Sequence, residues 1–125
     1  MDEARAEAWF TGLADELAQV VLDAGECVRA CEELLEAGRR QVRPGQQPLL
    51  AAIAPPAAVC SVLVDLLDRP PELVLAAAAA CRETSLAALD RLDPLASPLD
   101  PSAAAAALER VAGSCGRLLD AAGRP

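Results

Sequence analysis

The chain has 125 residues and a formal net charge of −8, and its 11 basic residues, all arginine, are scattered among 19 acidic ones. Because phosphate recognition needs clustered basic side chains, this balance argues against a nucleic-acid partner. Apolar residues make up 54% of the chain but aromatic residues only 2%, so Ala, Leu and Val must build the core, which favours an all-helical fold in a single domain over residues 1–125.

Clusters of proline and glycine divide the chain into segments with helical apolar spacing, which predicts four helices and three connections. The first helix is expected from about residue 3 to 37, with Gly38 as the residue that follows its last turn. The second is expected within residues 48–68. A proline inside a helix costs ~3 kcal/mol, so Pro55 and Pro56 leave open a later start, at Pro55.

The third helix is expected from about residue 71 to 92, with prolines in its first turn. The fourth is expected from about residue 101 to 121, with Asp100 as its N-cap and Pro101 as its first residue. Because the connections are short, the helices should form an antiparallel up-down-up-down four-helix bundle, an all-α fold.

Within each helix, core-type residues recur in alternating steps of three and four, the spacing of a helix that faces a bundle core. The expected core positions are Leu13, Leu17, Val20, Ala24, Cys27, Cys31 and Leu34 in the first helix, Leu49, Ile53, Pro56, Cys60, Leu63 and Leu67 in the second, Val74, Ala78, Cys81, Ser85, Ala88 and Leu92 in the third, and Ala104, Leu108, Val111, Cys115 and Leu118 in the fourth. All five cysteines of the chain fall on these positions.

The antiparallel arrangement predicts that thiols of different helices meet. With a rise of ~1.5 Å per residue, Cys27, Cys60, Cys81 and Cys115 lie within roughly 6 Å of one height along the bundle. Cys31 follows Cys27 by one turn on the same helix face. A regular helix does not provide the dihedral angle for a disulfide between Cys27 and Cys31.

Clustered thiols without histidine predict a soft metal ion. Thiolates select Cu(I), zinc or an iron–sulfur cluster. Structural zinc prefers four ligands in a tight tetrahedron, whereas Cu(I) accepts two or three thiolates, so copper fits this pattern better. The alternative is that the cysteines only fill the core, because free cysteine is among the most buried residue types.

The segments ECVRACEELLEAG and VCSVLVDLLDRPPELVLAAAAACRETSLAALDRLD, followed by Cys115 in a last helix, resemble the cysteine-rich four-helix-bundle copper-binding (copper storage) proteins of bacteria. The resemblance covers roughly residues 20–120. It implies a bundle whose core thiols bind Cu(I), with Cys27, Cys31, Cys60, Cys81 and Cys115 at the matching positions.

This chain departs from that family in the number of its thiols. Most core positions carry Ala, Leu, Val or Ser where the family has many cysteines, the chain has no histidine, and Met1 is its only methionine. The resemblance therefore implies a low-capacity Cu(I)-binding bundle rather than a high-capacity store.

The absence of histidine excludes a ferritin-like Glu-x-x-His di-iron site, histidine-ligated haem and histidine-dependent hydrolytic triads. A nucleophilic thiol would need a basic neighbour, and Arg82, beside Cys81, and Arg117, near Cys115, need not face the thiols. An enzyme is therefore disfavoured.

One alternative keeps the bundle but changes its use. The Ala-rich core could hold a small organic ligand, as in a small biosynthetic enzyme or a carrier. Thr84 and Ser85 would be its polar lining residues, although each hydroxyl is expected to bond back to its own helix. A third interpretation is a structural bundle with no ligand.

Location and self-association can also be inferred from the sequence. The acidic, amphipathic start MDEARAEAWFTGLADELAQ has no export-signal pattern, and LVLAAAAAC is far shorter than the ~20 residues of a membrane span. We expect a cytoplasmic protein without membrane contact, and the Ala-, Arg- and Pro-rich composition without lysine suggests a bacterial genome. Trp9 and Phe10 should cap one end of the bundle, with a homodimer contact as the alternative.

Overall fold

Four α-helices contain most of the residues that the structure, a computed structural model, describes. The described residues are 4, 8, 11–40, 47–66, 68–92 and 99–123. The helices are α1 (Ala14–Arg40), α2 (Gln47–Leu66), α3 (Pro71–Arg91) and α4 (Ser102–Ala121). No strand occurs in these parts of the chain.

The helices are arranged in a ring in which each packs against its neighbours in sequence and α4 packs against α1. Successive helices run in opposite directions, because Gly38 near the end of α1 lies against Leu50 near the start of α2. The end of α1 likewise meets the start of α4, since Leu34 and Ala37 line a surface pocket together with Ala104. Further along both helices, Glu26 of α1 forms a 3.2 Å ion pair with Arg110 of α4. The predicted all-α antiparallel four-helix bundle is confirmed.

The core consists of the positions that the three-and-four spacing predicts. Every predicted core position within the described residues is buried except Leu17 and Leu92, which are half-buried. Leu67 lies outside the described residues, as do Trp9 and Phe10. The largest fully buried side chains are Ile53, Leu63, Leu108 and Leu118, so aliphatic residues hold the helices together.

The ends of α1 differ from the expectation. Leu13 is a turn residue that separates helical Thr11 and Gly12 from α1, which begins at Ala14. At the other end, α1 continues through Gly38 to Arg40, so the prediction that Gly38 follows the last turn is wrong. The glycine serves close packing instead, since a Cβ atom there would lie 2.7 Å from the Leu50 methyl groups.

The α2 helix is continuous through both of its prolines. The alternative start at Pro55 is therefore wrong. Each proline lacks the N–H group that would bond to the carbonyl four residues earlier, at Ala51 and Ala52. Pro56 is fully buried while Pro55 is exposed, and core packing holds the helix together at this point.

The α4 helix begins at Ser102, one residue later than expected. Asp100 Oδ1 accepts hydrogen bonds from the Ser102 main-chain N–H at 2.9 Å and from the Ser102 hydroxyl at 2.6 Å. These bonds from Ser102 lower the pKa of the Asp100 carboxyl group. The N-cap residue is thus Pro101, and the prediction of Asp100 at that position is wrong by one residue. The Asp100 carboxylate still satisfies a main-chain donor of the first turn, because it accepts from the Ser102 N–H.

The outer surface is asymmetric. Charged side chains, including Glu26, Arg29 and Glu33, cover the outside of α1, whereas α2 carries no charged residue before Asp65. Among the described helices, only α2 has the length and apolar composition of a membrane span, and 39% of its apolar window is buried in the bundle. Core helices of soluble proteins pass the same test, so the finding is weak support for a membrane contact.

Candidate thiol site

All five cysteines are free and completely buried. Helix α1 contributes Cys27 and Cys31, and the other three helices contribute Cys60, Cys81 and Cys115. Each lies on the predicted core face of its helix. The bundle thus brings every thiol of the chain into its interior, away from bulk water.

Two pairs of sulfur atoms are close together. Cys27 Sγ and Cys31 Sγ, one turn apart on α1, are 4.0 Å from each other. Cys60 Sγ of α2 and Cys81 Sγ of α3 are 3.3 Å apart. The first separation follows from helix geometry, and the second from the packing of two antiparallel helices.

Further sulfur contacts join these pairs into one row. Cys27 interacts with Cys60 across α1 and α2, and Cys81 interacts with Cys115 across α3 and α4. The order is therefore Cys31, Cys27, Cys60, Cys81 and Cys115, which we call the thiol row. It crosses all four helices at about one level, as the predicted heights require.

Hydrogen bonding along the thiol row separates the pKa values of its members. Hydrogen bonding with Cys31 and Cys60 lowers the pKa of Cys27, and hydrogen bonding with Cys115 and Cys60 lowers the pKa of Cys81. Cys60 has a single S–H proton, which it donates to one of these two neighbours at a time. The same bonds, together with burial, raise the pKa of Cys31, Cys60 and Cys115. Sulfurs whose thiolate form is favoured therefore alternate along the row with sulfurs whose protonated form is favoured.

Two polar side chains lie next to the thiol row. Ser85, one turn after Cys81, is fully buried, and its hydroxyl has no hydrogen-bond partner among the described residues. The Asp23 carboxylate accepts a 3.0 Å hydrogen bond from Gln19 Nε2, and its charge raises the pKa of Cys115.

Asp23 is only 5% exposed, although the sequence did not predict it as a core residue. Its spacing fits the core pattern, because Val20, Asp23 and Cys27 are also separated by a step of three and a step of four. The predicted core position was the adjacent Ala24, and both residues are buried. Ser85 was placed correctly in the core, but the expected bond of its hydroxyl to its own helix is absent.

The structure also shows where the Thr84 hydroxyl and the side chains of Arg82 and Arg117 lie. Thr84 Oγ1 donates to the main-chain oxygen of Ala80 at 2.6 Å, as predicted. The Arg82 side chain lies over Gly116, and that of Arg117 lies over Gly113. Both arginines are exposed, whereas the thiols that precede them in sequence are buried.

The sulfur separations can be compared with those of a bound metal ion. Two sulfurs held at ~2.3 Å from one metal lie ~3.8 Å apart in a tetrahedral arrangement and ~4.6 Å apart in a linear one. The 4.0 Å between Cys27 and Cys31 is within this range. The 3.3 Å between Cys60 and Cys81 is below it, so that pair must separate to share a metal.

The row presents sulfur pairs rather than a closed cage. Within the described residues, no three or more cysteine, aspartate or glutamate side chains are arranged to hold a metal ion. A four-ligand zinc site would therefore require the helices to move. The 4.0 Å between Cys27 Sγ and Cys31 Sγ corresponds to a sulfur–metal–sulfur angle of about 120°, so the pair as it stands suits two of the three thiolate ligands of a three-coordinate ion.

Comparison with known proteins found no matching family model, no matching curated protein and no matching solved structure. The function must therefore be argued from the thiol row itself.

Proposed function

We propose that this protein is a low-capacity Cu(I)-binding bundle that holds copper through the thiolates of its thiol row. The observation that carries the proposal is the fully buried, continuous row of sulfurs with a 4.0 Å pair on one helix. Cys27, Cys31, Cys60 and Cys81 are the proposed ligands, with Cys115 as a further candidate at the end of the row.

The donor chemistry supports copper over the other soft metals. The row offers sulfur without imidazole, and thiolates favour Cu(I) among the ions that accept only two or three ligands. The surrounding Ala, Leu and Val side chains keep water and oxidants away from a bound ion. The resemblance to bacterial copper storage proteins adds to this argument, and we place the protein in the cytoplasm, where the ion would be Cu(I).

In this proposal copper is the ligand, and the protein binds it and protects it from water and oxidants. Cys27 is the first thiolate available, because hydrogen bonds from Cys31 and Cys60 lower its pKa. Binding at Cys27 and Cys31 requires Cys31 to lose its proton, since that thiol has a raised pKa. Affinity should therefore fall in acid, when the thiols are protonated.

The test is an anaerobic titration of the reduced protein with Cu(I) against a competing chromogenic chelator, with a parallel count of reactive thiols. We expect at least one equivalent of copper to be withheld from the chelator and thiol reactivity to fall in step. The double variant Cys27→Ser and Cys31→Ser should lose most of this binding. Undiminished binding in that variant would contradict the assignment.

A matched control lies in the same turns of α1. Arg29 and Glu33 are exposed on the outside of the helix. The double variant Arg29→Ser and Glu33→Ser should therefore bind as much copper as the parent protein. If all five thiols are present and no copper is withheld from the chelator, the cysteines only fill the core and the proposal fails.

A small-molecule carrier is the second candidate. An apolar groove of about 450 Å³ lies between α2 and α3, lined by Ala58, Val59, Val62, Leu66, Leu73 and Ala77 among others. The groove is on the outside of the bundle rather than within the Ala-rich core. An increase in the fluorescence of an environment-sensitive apolar probe that Val62→Arg abolishes would favour this candidate, and copper binding should be unaffected by the same change.

A further inference from the structure

The two close sulfur pairs differ in the covalent chemistry that their backbones allow. Cys27 and Cys31 are on one helix, which holds both side chains in the same direction and prevents the dihedral angle of a disulfide. Cys60 and Cys81 come from two antiparallel helices, and their sulfurs approach to 3.3 Å. Only the second pair can join by a small movement of the side chains.

The surroundings of Cys60 and Cys81 allow this approach. Ala57 and Ala78, which precede them by one turn, are small and buried. Small residues let helix backbones come close together, and a disulfide requires Cα atoms ~4.4–6.8 Å apart. The polypeptide between the two cysteines includes the connection of α2 to α3, so the bond would close a loop rather than strain a helix.

We infer that Cys60 and Cys81 form a reversible disulfide between α2 and α3 when the protein meets a hydroperoxide, while Cys27 and Cys31 stay reduced. The inference concerns the metal-free protein and holds whether or not copper binds. A second consequence, that oxidation lowers copper capacity, rests on the proposed function.

The reaction balances with a hydroperoxide as the only added reagent. One sulfur of the pair attacks the peroxide as its thiolate, so that a sulfur–oxygen bond forms, the oxygen–oxygen bond breaks, and water or an alcohol leaves after taking up a proton. The other sulfur then attacks the oxidised sulfur, a sulfur–sulfur bond forms, and the hydroxyl group leaves as water with the proton of the second thiol. Two thiols are oxidised by two electrons and the peroxide is reduced by two.

The sulfurs of Cys60 and Cys81 are placed so that either one can resolve the sulfenic acid of the other. Cys60 Sγ and Cys81 Sγ are 3.3 Å apart. Whichever sulfur the peroxide oxidises first therefore already has the second thiol in contact with it.

A route for the oxidant is provided by α2. Pro55 and Pro56 remove two main-chain hydrogen bonds in the turn before Cys60. A helix that lacks two bonds at one point opens there more readily than elsewhere. Local opening of this turn would expose Cys60 and the Cys81 sulfur behind it to a small peroxide.

The experiment maps disulfides in the metal-free, reduced protein after treatment with one equivalent of hydrogen peroxide. Remaining thiols are alkylated in denaturant, and a protease that cuts after Glu and Asp separates Cys60 from Cys81 at Asp65 and Glu72. We expect the thiol count to fall from five to three, with a peptide pair joined through Cys60 and Cys81 that a thiol reductant separates.

Two variants sharpen the result. Cys115→Ser removes a thiol next to Cys81 that is not the predicted partner, so the disulfide should still form. Cys81→Ser should abolish it. If either variant fails to fold, the disulfide map of the parent protein still tests the inference. Five thiols remaining after treatment, or a bond that joins Cys81 to Cys115 or links two chains, would overturn the inference.

The same samples separate this inference from the copper proposal. If the disulfide forms and the reduced protein binds no copper, the disulfide site stands and the proposed function fails. If the reduced protein binds copper and the oxidised protein binds as much, the disulfide does not regulate copper. Under both proposals, oxidation should lower the copper equivalents bound, and reduction should restore them.

Discussion

At the scale of single residues, two buried serines differ in whether their hydroxyl has a hydrogen-bond partner. Ser114 Oγ donates to the main-chain oxygen of Val111 at 3.2 Å. Ser85 Oγ has no partner among the described residues. A buried polar group without a partner costs ~1–3 kcal/mol, so Ser85 destabilises the metal-free bundle.

We therefore expect Ser85→Ala to raise the free energy of unfolding of the reduced, metal-free protein by about 1 kcal/mol. Urea unfolding followed by circular dichroism measures this change. Ser114→Ala is the matched control and should be neutral or destabilising, because it removes a bond that exists. A loss of stability in Ser85→Ala would contradict the prediction and show that its hydroxyl donates to a partner such as the Cys81 sulfur.

Residue-scale features were predicted from the sequence only where spacing determines them. The spacing placed all five cysteines in the core because Leu and Val fix the register on three of the helices. It did not predict that Gly38 is helical, because glycine is equally common after a helix and where two backbones approach closely. The contact with Leu50 that decides between these roles comes from another helix.

At the scale of helices, α2 shows how packing overrides local preference. Two adjacent prolines predict a break, yet α2 runs from Gln47 to Leu66 through both of them. Buried Ile53 and Cys60 on either side hold the helix against its neighbours. Pro56 itself fills a core position, and the packing of its buried ring offsets the lost main-chain hydrogen bond.

This balance predicts different effects for the two prolines. Pro55 is exposed, so Pro55→Ala should restore a main-chain bond without loss of packing and stabilise the protein by about 1–3 kcal/mol. Pro56 is fully buried, and Pro56→Ala should gain less because removal of its ring leaves a cavity. Midpoints of urea unfolding would show the order, and a larger gain for Pro56→Ala would contradict it.

At the scale of the whole molecule, the fold and the level of the thiol row were predictable, but the sulfur separations were not. Helix rise and short connections place Cys27, Cys60, Cys81 and Cys115 at one height. The difference between the 3.3 Å of Cys60 and Cys81 and the 4.0 Å of Cys27 and Cys31, on which the two proposals for these pairs depend, is set by how the helices pack together. No spacing along one chain segment contains that information.

The alternation of lowered and raised pKa values along the thiol row depends on contacts across the whole bundle. It predicts how the Cu(I) affinity changes with pH. Hydrogen bonds from Cys31 and Cys60 lower the pKa of Cys27, and the hydrogen bond to Cys27 raises the pKa of Cys31. We therefore expect Cys27 to be a thiolate and Cys31 to be a thiol around neutral pH. Copper binding at this pair must release one proton, from Cys31.

The Cu(I) affinity should therefore rise about tenfold for each unit of pH near neutrality, since one proton leaves for each ion bound. The rise should flatten only above the raised pKa of Cys31 and steepen below the lowered pKa of Cys27. Chelator competition at several pH values, corrected for the chelator's own protonation, measures the slope. A hundredfold rise per unit would show that Cys27 is also protonated before binding. No rise would show that no proton leaves on binding, which would contradict the raised pKa of Cys31.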